Sequence, residues 1–177
     1  MLDEKRIKEA EDNVRSYLGE GLLKKTTMNE QIINILLRNA KESLRVAEEI
    51  HQKNLSDLWV IVCSYYAMYY YANAALLKFG YKVGEKIVHK VTSDAMIVYV
   101  RGKLKESLIE EYEQTKEEAL NLAGLKADSL IESLEFERNK RRLIQYRTIE
   151  IEKQSKARTS LQRAKEFAKE IDKLLGA

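Results

Sequence analysis

The chain has 177 residues, 45% of them apolar and 33% charged, with a formal net charge of +3, which gives one domain enough apolar material for a core and excludes a disordered or low-complexity polyelectrolyte. Proline is absent and there are seven glycines, so almost nothing interrupts a helical chain except glycine itself. A single cysteine, Cys63, cannot form an internal disulfide, and no apolar run approaches the roughly 20 residues of a membrane span, so a reducing, cytoplasmic setting without membrane attachment is expected.

In chain order, the spacing predicts about six helices. The first covers roughly 3–18, with a stripe at Ile7, Ala10 and Val14, and stops at the Gly19 to Gly21 break; residues 1–25 read as an N-terminal helical extension to a bundle over 26–177. The second starts after Thr26 or Thr27, either of which can cap it, and repeats Ile33, Leu36, Ala40, Leu44 and Ala47. The third runs from Ser56 or Asp57 to Phe79 and is apolar on more than one face, which marks it as the central helix. A fourth follows Gly84 with Ile87, Val91, Ala95 and Val98. A fifth extends from Leu104 to about Tyr146 with a break near Gly124, and the last carries Ala157, Leu161, Ala164, Ala168 and Ile171. Strand patterning is confined to Thr148–Ile151. These elements describe an all-α, antiparallel up-and-down helical bundle.

Charge is concentrated in one place. Residues 137–147 carry five cations against one carboxylate, a net of +4, so the remainder of the chain sums to about −1. At 100° per residue, Arg138, Arg141 and Gln145 fall within about 40° of Leu134, continuing in polar groups a face that Leu130 and Leu134 begin as apolar. Guanidinium groups on such a face need an anion or carbonyls opposite them, and the pattern points to a phosphate site. Metal chemistry has no ligand spacing behind it, since His51, His89 and Cys63 stand apart and Glu110, Glu111, Glu117 and Glu118 read as helix-surface charges. Glycine-rich phosphate loops, catalytic serine motifs and dinucleotide fingerprints are absent, and no cofactor is implied. Abundant Lys, Glu, Arg, Ile and Tyr are compatible with a thermophilic source.

Ser64 to Gly84, SYYAMYYYANAALLKFGYKVG, resembles the tyrosine- and alanine-rich helix and Leu-Lys-x-Gly-Tyr turn of the HEPN (higher eukaryotes and prokaryotes nucleotide-binding) family. His89, the basic stretch Arg138 to Tyr146 and the alanine-spaced last helix extend the resemblance over roughly residues 28–175. It implies a helical bundle that dimerises, bringing two arginine segments into one cleft. It also implies a prokaryotic, archaeal or bacterial, toxin–antitoxin or defence pair whose second member is a minimal nucleotidyltransferase. Nuclease members of that family place a His four to six residues after an Arg, with a Tyr two beyond. Here Arg138 and Asn139 resemble the start and Tyr146 the end, but the His position holds Ile144 or Gln145; a branch without the His would pair Arg141 with Tyr146. Both readings keep the arginine and lose the base, and neither Gln nor Ile exchanges a proton while Tyr is a poor base near neutrality. The resemblance therefore implies phosphate held by Arg138, Arg141 and Arg142, oriented by Asn139 and Gln145 beside Tyr146, which is itself a candidate adenylate acceptor. A metal-independent endoribonuclease borrowing His89 or His51, and a non-catalytic protein–protein adaptor, are the alternatives.

Overall fold

A computed structural model describes residues 2–134 and 143–176, with the side chains of 106, 123–134 and 143–152 excepted. Its elements are α1 (Glu4–Glu20), β1 (Leu23–Lys25), α2 (Glu30–Gln52), α3 (Asp57–Lys78), β2 (Tyr81–Val83), α4 (Val88–Tyr99), a short 3₁₀ turn (Arg101–Lys103), α5 (Glu106–Leu134) and α6 (Leu143–Leu175). The all-α bundle is therefore present. None of its described helices is long and apolar enough to cross a membrane.

Local chemistry sets the helix ends. Asp3, Asn29 and Ser56 each accept a hydrogen bond from the backbone N–H three residues on, at 2.6, 3.1 and 3.4 Å, satisfying donors that a helix start leaves unpaired. The cap of α2 is thus Asn29, not Thr26 or Thr27, because those threonines belong to the approach from β1. Helix α1 runs through Gly19 and closes at Gly21, whose φ of +73° is the left-handed conformation that costs a side chain energy and costs glycine little.

Three further expectations are corrected. Gly124 lies inside α5, since one glycine costs a helix about 1 kcal/mol and 28 other residues can outvote it. Thr148–Ile151 is helical within α6, and α6 begins at Leu143, so the fifth pattern does not reach Tyr146. Two strands exist that the pattern did not reveal: β1 and β2 pair antiparallel, Leu23 opposite Val83 and Lys25 opposite Tyr81. This ribbon ties the chain after α1 to the turn after α3, and it is extended by Gly84 N–H to Leu22 O at 2.8 Å and Thr26 N–H to Gly80 O at 2.9 Å.

The core sits around α3. Twelve of its 22 residues are buried, among them Ile61, Tyr65, Met68, Tyr71 and Leu76, and each large apolar side chain so buried contributes about 1.5–3 kcal/mol. Ala67, Ala72, Ala74 and Ala75 are fully enclosed and let neighbouring backbones approach closely. Helix α2 packs antiparallel on one side of α3 as a hairpin. On another side α6 lies parallel to α3, with Tyr71 donating to Asp172 at 3.3 Å and Lys78 to the Leu175 carbonyl at 2.6 Å. Helix α5 is antiparallel to α6, joined by Arg163 to Gln114 at 2.7 Å and Ser160 to Glu118 at 3.2 Å. The short α4 turns the chain between α3 and α5 and carries α1 on its outer side.

Gly80 combines a φ of +83° with a site where a Cβ would lie 3.1 Å from the Thr26 carbonyl oxygen. Gly80→Ala is expected to lose about 1–2 kcal/mol, lowering Tm by roughly 2–8 °C in a thermal melt. Gly102→Ala, with open space around it, should leave Tm unchanged.

Candidate functional site

The basic residues on which the phosphate reading rests fall at the connection between α5 and α6. Arg138, Asn139, Arg141 and Arg142 lie outside the described residues, and Gln145 and Tyr146 fall in the first turn of α6 with side chains also outside them. What the structure does assemble is a polar seam at the junction of α1, α3, α4 and α5.

Its hub is Asp94 on α4, completely buried. A carboxylate removed from water is tolerated only if donors surround it, and α1 supplies three. Arg6 Nη2 lies 2.7 Å from one oxygen, while Asn13 Nδ2 and the Tyr17 hydroxyl donate to the other at 3.0 and 2.9 Å. These residues are spaced to share the face of α1 that meets α4. Arg6 also donates to Glu113 of α5 at 2.6 Å. Glu113 in turn accepts from Ser93 at 2.8 Å, and Lys116 Nζ donates to Ser93 at 2.9 Å. Two cations therefore face two carboxylates. Burial works against the Arg6 charge, but its bonds to Glu113 and Asp94 outweigh it and raise the guanidinium pKa. For Lys116 the balance is reversed, because burial dominates over Glu113 and lowers the ammonium pKa. Burial, followed by the bond to Asp94, raises the Tyr17 phenol.

The seam continues into an aromatic cluster. His89, one turn before Ser93 on α4, has its Nδ1 2.7 Å from the Tyr65 hydroxyl and its ring 5.0–6.1 Å from those of Tyr65, Tyr66 and Tyr69. Tyr65 stands 6.0 Å from Tyr112 of α5, and burial raises both phenol pKa values. The Tyr65 hydroxyl and His89 Nδ1 thus pair with each other inside the cluster, the direction of the bond following the ring tautomer. Burial, and then the Lys116 charge, lower the His89 pKa, so the neutral ring is favoured. Neutral His89 held this way has Nδ1 engaged by Tyr65 and Nε2 as its remaining polar atom.

Asn73, polar among alanines, bonds helix to helix, donating to Tyr69 O in its own helix at 2.8 Å and to Thr92 of α4 at 3.4 Å. His51 is in the last turn of α2, apart from this cluster. On α3, Trp59 and Tyr66 are surface residues, while Tyr65 and Tyr71 belong to the core. The side chains that sequence reasoning missed are Arg6, Asp94, Glu113 and Lys116, for each reads as an ordinary helix charge. The one available signal was Asp94 itself, an acid set between the core residues Val91 and Ala95. Among the described residues no group of three His, Cys, Asp or Glu side chains is placed to hold a metal ion.

Asp94→Asn removes the charge that Arg6 answers. The expected cost is about 2–4 kcal/mol in urea unfolding, below that of a fully dry pair because Arg6 keeps about a quarter of its side chain exposed. The His89 pKa is lowered from 6.5 in the folded chain, so the unfolded chain binds its proton first. Stability from this group is complete above pH 6.5 and falls as pH drops toward the folded value. Unfolding midpoints taken across that range should show a loss that His89→Gln flattens.

No family model, no curated protein and no solved structure matches this chain.

Proposed function

We propose that this chain is a HEPN-like module that binds the phosphates of a nucleotide or RNA, acting with a minimal nucleotidyltransferase in a prokaryotic toxin–antitoxin or defence pair. The observation that carries the reading is the net +4 of residues 137–147 in a chain whose remaining residues sum to about −1. Arginines suit phosphate because the planar guanidinium offers paired donors and never loses its charge. Arg138, Arg141 and Arg142 hold the phosphate, Asn139 and Gln145 orient it, and Tyr146 stands beside it as the candidate adenylate acceptor. Binding needs no base, which accords with a stretch that lacks one and with a His89 whose Nδ1 is engaged by Tyr65.

The working unit is a homodimer. Seven of the nine exposed large hydrophobics among the described residues, including Ile35, Val46, Trp59 and Tyr66, lie on or beside the α2–α3 hairpin, and a second copy covers that face. Light scattering should show a dimer that Ile35→Glu with Trp59→Glu converts to a monomer.

Arg138→Ala with Arg142→Ala is expected to weaken binding of labelled RNA or nucleotide. It should also flatten the slope of log affinity against log salt by about 0.7 for each single-strand phosphate that the variant no longer neutralises. Unchanged affinity in that variant removes the reading. RNA cleavage in EDTA that Arg138→Ala abolishes replaces it with the endoribonuclease, and absence of any binding at physiological salt leaves the adaptor.

A further inference from the structure

We infer that the solvent face of α2 is a second polyanion surface, on which Arg38, Lys41 and Arg45, with Asn34, follow the phosphate backbone of single-stranded RNA. At 100° per residue these four positions fall within about 60° of one another, and all four side chains are exposed. They form a straight track about 16 Å long. Together with Leu37 and Glu42 they line a shallow surface groove.

Two features separate this track from an ordinary solvated helix face. Cations on a helix surface are usually answered by carboxylates three or four residues away. Here Arg38, Lys41 and Arg45 make no ion pair within 4.0 Å among the described residues, although Glu42 has the spacing to pair with both arginines. Of the two acids at the end of the track, Glu48 pairs with Lys165 of α6 at 2.8 Å, and Glu49 pairs with Lys53 at 2.9 Å while also interacting with the Arg45 charge, so Arg38 and Lys41 are the cations left without an acid partner among the described residues. The Glu48–Lys165 pair also brings α6 alongside the end of α2. The positive potential of the row is thus left open to solvent.

The chemistry favours a linear polyanion. A membrane-surface helix needs an apolar face to insert, whereas Ile33, Leu37, Ala40 and Ala47 of α2 are committed to the core and the exposed Ile32, Ile35 and Val46 lie on the side assigned above to the dimer. A protein partner would need a buried aromatic or aliphatic anchor at the centre of its contact, and the groove offers only Leu37, which is 8% exposed. A strand of phosphates needs cations in a row and asks for nothing else.

This inference rests on the RNA reading above for its ligand, but on different residues. The test is binding of labelled oligouridylate across a salt series to the full chain, to an Arg38→Gln, Lys41→Gln, Arg45→Gln variant, and to the Arg138→Ala, Arg142→Ala variant. All three α2 positions are exposed, so the first variant should keep the wild-type Tm. Its affinity at low salt should fall about tenfold or more, and its salt slope should shrink by about 2, the sum for three phosphates at about 0.7 each. Wild-type binding in that variant overturns the α2 surface and leaves the proposed function standing. Loss confined to the α2 variant, with Arg138 and Arg142 dispensable, upholds the surface and overturns the proposed site. Binding by the wild type to phosphatidylserine vesicles but not to oligouridylate overturns the α2 surface and the RNA form of the proposed function.

Discussion

A helix that is apolar on nearly all sides must have neighbours on nearly all sides, and α3 imposes that condition on the rest of the chain. Its buried positions face α2, α5 and α6 in turn, and its enclosed alanines set how near those helices can come. The geometry of the bundle then follows from connection lengths. The short link after α2 makes an antiparallel hairpin, and α4 with the 3₁₀ turn redirects the chain so that α5 and α6 return as a second one. Because α6 ends up parallel to α3, its C-terminal end is anchored by Tyr71 and Lys78, while its other end carries the connection in which the basic residues are concentrated.

The polar seam is the chief departure from an apolar interior. Asp94 is buried without being stranded, because Arg6, Asn13 and Tyr17 converge on it and Arg6 passes the connection on to Glu113. Such a network discriminates more than it stabilises: a placement of α1 that took Arg6, Asn13 and Tyr17 away from Asp94 would leave a lone charge in the core. The same seam reaches His89 through Ser93 and Lys116. There burial and the nearby cation favour the neutral imidazole, whose Nδ1 is paired with the Tyr65 hydroxyl.

Charge on this chain is organised by location rather than by total. A net of +3 would imply little about partners, yet it resolves into a +4 stretch after α5, a neutral buried network near α4, and a row of exposed cations on α2. Fields of this sort act within about a Debye length, some 8–10 Å at physiological salt, so the local pattern decides what can bind. The apolar surface on the α2–α3 hairpin lies on the same helix as the cationic row but on a different side of it, leaving both available at once.

The helical class, the central position of α3, the stop at Gly19 to Gly21 and the basic stretch were all legible in the sequence, because each depends on residues a few positions apart: periodicity, left-handed glycine and summed charge. Even there, local signals err where they are weak. Gly124 reads as a break although its cost is small, and a three-residue ribbon leaves no alternation to detect. The seam could not be read at all. Tyr65 and His89 are 24 residues apart and Arg6 and Glu113 are 107 apart, so in sequence each is one more aromatic or one more helix charge. Only packing α1 and α5 against α4 decides which charges leave water, and desolvation is what turns an unremarkable acid such as Asp94 into the residue that places a helix.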